Sequence, residues 1–129
     1  MTKECTWDSR PIYDKLIEPL RAKARELGYA LAVHGTLKRD IDLIACPWIE
    51  EAAAPDALAQ ALYELCVELS DGSCILRDLD PWHLAGCPGH KPHGRLCWTI
   101  HFGGGPYIDL AVMPRIIVAP VEKKEGTAP

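Results

Sequence analysis

The sequence predicts an α+β fold, a small mixed or antiparallel sheet with helices on one face and a cleft on the other. Two stretches carry apolar residues at helical spacing, and several short apolar runs have strand length. Two of those runs flank the triplet Gly103-Gly104-Gly105, which reads as a hairpin turn. At 129 residues the chain can bury one such core without metal or disulfide staples. A single domain over residues 1–119 is expected, followed by a disordered tail at 120–129.

The first helix spans 11–27, where Ile12, Leu16, Leu20 and Ala24 recur every four residues beside Tyr13, Ile17 and Leu27. Ser9 is placed to cap its start and Gly28 to end it. Pro19 cannot donate an amide bond to the Lys15 carbonyl, so a kink or two short helices are expected there. Residues 29–34 and 40–46 are the first two strands, the second ending at Pro47. A second helix covers 55–69, with Leu58, Leu62, Leu65 and Leu69 on one stripe and Pro55 in its first turn. Residues 74–76 form a short edge strand, and the proline- and glycine-rich stretch 80–94 is a loop. The hairpin comes last, with strands over 95–102 and 106–113.

Composition narrows the function classes. A net charge of -4 argues against a nucleic-acid-binding surface, which needs basic side chains to displace counterions. Arg21, Lys23 and Arg25 read as the solvated side of the first helix. No run approaches the ~20 apolar residues that span a bilayer. Six cysteines are present, yet the start Met-Thr-Lys-Glu has no apolar core or cleavage site. Cys46, Cys66, Cys74 and Cys97 lie in apolar runs where free cysteine acts as a small hydrophobe, so a reducing, cytoplasmic setting is expected. Trp98 belongs to the core, whereas Trp48 and Trp82, beside prolines, are expected to cap the core or line the cleft.

Three aspartates stand out. Asp40 and Asp42 alternate with Ile41 and Leu43, which puts both acids on one face of a strand. Adjacent carboxylates repel unless a cation neutralises them. Across the hairpin, pairing about the glycine turn sets Thr99 opposite Asp109, with His101 as diagonal neighbour. One face then gathers Asp109, Thr99, His101 and Tyr107. The other buries Leu96, Trp98, Ile100, Phe102, Ile108, Leu110 and Val112. Before the acid pair, Gly35 lets backbone approach a phosphate, Thr36 adds a hydroxyl, and Lys38 and Arg39 can neutralise phosphate charge.

Gly35-Thr36 at a strand end, Asp40-Ile41-Asp42-Leu43-Ile44 and Ile108-Asp109-Leu110 together resemble the signature of the nucleotidyltransferase superfamily, typified by DNA polymerase beta and the minimal nucleotidyltransferases. The resemblance implies a nucleotidyltransferase-like fold in which Asp40, Asp42 and Asp109 hold two Mg²⁺ or Mn²⁺ ions. It further implies that Gly35 and Thr36 hold the phosphates of a nucleoside triphosphate, whose nucleotidyl group passes to an acceptor hydroxyl. Only Leu37, Lys38 and Arg39 separate Thr36 from Asp40, where the family usually has a longer segment. The His34-Gly35-Thr36 and Arg39-Asp40-Ile41-Asp42-Leu43 pattern is also similar to that of short phage and prophage proteins.

Other readings fit the same residues. Solvated strand acids and turn cations would explain Asp40, Asp42, Asp109, Lys38 and Arg39 without a ligand, and His34 and His101 can be structural. A domain of this fold without turnover would be a nucleotide-binding or protein-interaction module. Cys87, His90 and His93 could supply three zinc ligands, with His83 or Cys97 as a fourth, although their spacing matches no established zinc signature.

Overall fold

A computed structural model describes residues 8–70, 90–102 and 105–115. The expected strand at 74–76, the loop over 80–89, Gly103, Gly104 and the tail at 120–129 lie outside the described residues, as does Cys87. In chain order the elements are α1 (Arg10–Glu26), β1 (Tyr29–His34), β2 (Ile41–Pro47), α2 (Pro55–Leu69), β3 (His90–Lys91), β4 (Arg95–His101) and β5 (Tyr107–Val112). The strands form one mixed sheet in the order β1-β2-β5-β4-β3, parallel only between β2 and β5.

Each element follows from its burial pattern. Helix α1 buries Leu16, Ile17, Leu20 and Ala24, and α2 buries Leu58, Ala59, Leu62 and Cys66. Both stripes join Tyr29, Leu31, Ile41, Leu43, Ile100, Ile108, Leu110 and Val112 in one core. Leu65 and Leu69 are half-buried beside it. Of the two expected outcomes, two short helices are ruled out, because α1 runs as one helix through Pro19. Packing of its apolar stripe outweighs the single amide bond that proline cannot make.

Three more expectations are corrected. Ser9 occupies the N-cap position of α1, but its hydroxyl makes no cap bond to the helix. Asp8 supplies that acceptor, taking the Arg10 N–H at 3.0 Å. The stretch expected to be loop up to Gly94 includes the two-residue strand β3 and a 3-10 turn at Pro92–Gly94. Cys46 is exposed and Cys97 half-buried, because each faces away from the helices; only Cys66 of these three is a core cysteine.

The segment after β2 folds back on the α1–β1 junction. Trp48 N–H donates to Gly28 O at 2.7 Å, Ala53 N–H to Leu27 O at 2.9 Å, and the Tyr29 hydroxyl to Ala53 O at 2.7 Å. Trp48 itself is 77% exposed and lines a shallow surface cleft with Arg21 and Arg25, so it does not cap the core. Gly28 has φ +90, and a Cβ there would stand 2.7 Å from the Ala52 backbone. Gly28→Ala is therefore expected to cost about 2–4 kcal/mol, from left-handed strain plus overpacking. A urea midpoint unchanged from wild type would contradict this.

No helix among the described residues is long and apolar enough to cross a membrane.

Candidate functional site

The turn between β1 and β2 builds one wall of the site. Gly35 adopts φ +87 and Leu37 φ +65, which reverses the chain within a few residues. The Thr36 hydroxyl oxygen accepts the Lys38 N–H at 3.3 Å. Fully buried Ser9 then ties this turn to the start of α1. Its hydroxyl donates to Arg39 O at 2.8 Å, and its N–H to Lys38 O at 3.4 Å. Asp40 follows directly, one residue before β2 rather than within it as expected.

Strand pairing brings the acids together. In the antiparallel pair β4–β5 Thr99 faces Asp109 and His101 faces Tyr107, the register expected from sequence. In the parallel pair β2–β5 Asp42 faces Asp109 directly. Asp40, Asp42 and Asp109 each offer a carboxylate oxygen, and these oxygens lie within 4.8 Å of one another. Gly35 borders the cluster, since a Cβ on it would stand 2.6 Å from Asp42 Oδ2. Such a set of hard oxygen donors can hold a divalent cation.

Electrostatics point the same way. Burial first, then the charges of Asp40 and Asp42, push the Asp109 carboxyl up to about 6. The Thr99 hydroxyl, donating to Asp109 Oδ1 at 3.4 Å, offsets part of this. Asp42 is also raised, by burial and then by Asp40, with His34 opposing. Tyr107 is raised by burial, then by Asp40 and Asp109.

A carboxyl raised on folding binds protons in the native state that the unfolded chain has already lost, so metal-free stability falls as pH rises from about 4 to about 6. Asp109→Asn is expected to stabilise the metal-free protein by about 1–2 kcal/mol at pH ~8, after discounting for solvent screening. The gain should shrink as pH falls through about 6 and vanish by pH ~3, below the ordinary value of 3.8, where Asp109 is protonated in both states. Urea titrations at the two pH values measure the difference.

Of the expected substrate residues, Gly35 touches the acid cluster, while Thr36, Lys38 and Arg39 are exposed on the turn beside it. His101 is exposed at the hairpin end, its ring centroid 5.7 Å from that of Tyr107. On the far side of the acids a cleft of about 150 Å³ is lined by His34, Asp42, Arg95, Cys97, Asp109 and Ala111. Sequence reasoning missed Arg95, and it offered Cys97 only as a zinc ligand rather than as a neighbour of the acids. The alternation that set Thr99 and His101 on the acidic face extends back to both and could have found them. No local pattern marks Ser9 as the anchor of the turn. The expected zinc set cannot be assembled from the described residues, because Cys87 and the His90 side chain lie outside them.

Compared with family models, with curated proteins and with solved structures, the chain matches none.

Proposed function

We propose that this protein binds a nucleoside triphosphate with Mg²⁺ or Mn²⁺ and transfers its nucleotidyl group to an acceptor hydroxyl. The observation that carries the reading is the convergence of Asp40, Asp42 and Asp109 from separate parts of the chain beside a glycine turn. These three carboxylates are the metal ligands. A cation held there would supply positive charge to offset the charge that develops on the phosphate oxygens. Gly35 and Thr36 form the phosphate turn, Lys38 and Arg39 offset phosphate charge, and His101 with Tyr107 contacts the base or sugar. Asp109, which also lines the cleft, accepts the acceptor's proton.

The shortness of the turn favours a second reading, a nucleotide-binding or protein-interaction module of nucleotidyltransferase-like fold without turnover. Calorimetry with each of the four nucleoside triphosphates in Mn²⁺ tests the first step common to transfer and nucleotide binding. Wild type should bind at least one of them, and Asp42→Asn should weaken it by about tenfold or more. Absence of binding, or binding indifferent to the substitution, excludes the nucleotide site. Pyrophosphate release then separates transfer from binding.

A further inference from the structure

The acid cluster divides the open face of the sheet into two unlike regions. On one side stand the turn with Gly35, Thr36, Lys38 and Arg39, and the His101–Tyr107 pair. On the other side β4 and β5 present Cys97 opposite Ala111, with Arg95 two residues further along the same face as Cys97. Small side chains at Ala111 and Cys97 leave the cleft open between two ends of opposite charge. Asp42 and Asp109 line it at the acid cluster, and Arg95, four residues before Thr99 on β4, lines it away from them.

We propose that this cleft is the acceptor subsite, and that the acceptor is a small hydroxy compound carrying a phosphate or carboxylate. The proposal rests on the nucleotidyl-transfer reading above. A guanidinium forks onto either anion through parallel N–H donors, which fixes the ligand's orientation. Anchored at Arg95, such a molecule directs its hydroxyl towards Asp109. The carboxylates then lie between donor and acceptor, as a transfer requires. A cleft of about 150 Å³ admits a compound of a few carbons. The net charge of -4 disfavours the alternative anionic acceptor, a polynucleotide end.

In the transfer, the acceptor oxygen forms a bond to the α-phosphorus of the nucleotide. The bond from that phosphorus to the β-phosphate oxygen breaks, and pyrophosphate leaves with the electron pair. The hydroxyl proton passes to the Asp109 carboxylate and then to solvent.

The test uses the full chain with Mn²⁺, an α-labelled nucleoside triphosphate, and a panel of acceptors. The panel is glycerol 3-phosphate, glycerate, glycerol, ethanolamine and a short oligoribonucleotide. Label is expected on glycerol 3-phosphate or glycerate, their ratio separating phosphate from carboxylate, and not on glycerol or ethanolamine. Arg95→Ala should raise the KM for the anionic acceptor by about tenfold or more, with the KM for nucleotide held within about twofold. Arg95→Lys should restore part of the loss, which separates charge recognition from misfolding. Equal labelling of glycerol, preference for the oligoribonucleotide, or a KM insensitive to Arg95→Ala overturns the proposal. Nucleotide binding without label on any acceptor also overturns it, leaving the nucleotide site standing; loss of nucleotide binding by wild type removes both.

Discussion

Saturating Mn²⁺ at pH ~7.5 is expected to raise the unfolding temperature by about 10 °C, and Asp42→Asn is expected to abolish the rise. A ligand at a hundred times its Kd stabilises by about 2.7 kcal/mol, and a chain of 129 residues gains about 4 °C per kcal/mol. The effect should be large because the metal-free cluster is itself unfavourable. Three carboxylates offer oxygens within 4.8 Å of one another, and Asp109 is pushed up to about 6 by burial and by its neighbours. A bound cation would add an attraction to each carboxylate that outweighs their mutual repulsion. Protons compete for the same oxygens, so the rise should shrink as pH falls through about 6 and be gone near pH ~4. A chelator should return the metal-free value. An equal rise in wild type and Asp42→Asn would mean that Mn²⁺ binds elsewhere.

Gly35→Ala should uncouple this metal response from the fold. The new methyl would stand 2.6 Å from Asp42 Oδ2 at a backbone with φ +87. Asp42 must then swing away from Asp40 and Asp109, or the turn must open. Loss of a group that orients a metal ligand typically costs ten- to a hundredfold in affinity, and about that reduction is expected in a Mn²⁺ titration. The strain at this exposed turn should cost only about 1–2 kcal/mol of stability. Gly28→Ala provides the contrast, because its methyl meets the Ala52 backbone, remote along β2 from the acids. That variant should be the less stable of the two yet keep the metal response. If both lose metal affinity in proportion to stability, the close approach of Gly35 to Asp42 has no specific role.

Much of the site can be read without coordinates, for a physical reason visible at Asp109. Strand side chains alternate with period two, so Ile108 and Leu110 in the core leave Asp109 no face but the open one. The same alternation assigns Asp42 between Ile41 and Leu43. Pairing across the hairpin follows from the position of the turn, which is why Thr99 and Asp109 meet as expected. Helix α2 keeps its expected proline start and buries Leu58 and Leu62 of its expected stripe, with Leu65 and Leu69 half-buried beside the core.

Long-range choices are different in kind. Nothing local in β2 or β5 says that they lie side by side and parallel; that follows only when α1, α2 and the sheet bury their apolar faces together. The same collective burial holds α1 as one helix across Pro19 and leaves Trp48 outside the core. It also turns Ser9 from an expected helix cap into a buried tie on the Lys38–Arg39 turn, because only the folded chain brings their carbonyls within reach. By itself, then, the sequence determined the α+β class, the hairpin register and which face each aspartate takes, since these depend on short-range periodicity. The resemblance implied that Asp40, Asp42 and Asp109 share a site, but only the tertiary structure pairs β2 with β5 so that their carboxylates meet, and only it puts Arg95 in the lining of the same cleft. Contact between distant segments is set by how the whole apolar surface is buried, and no short stretch of chain encodes it.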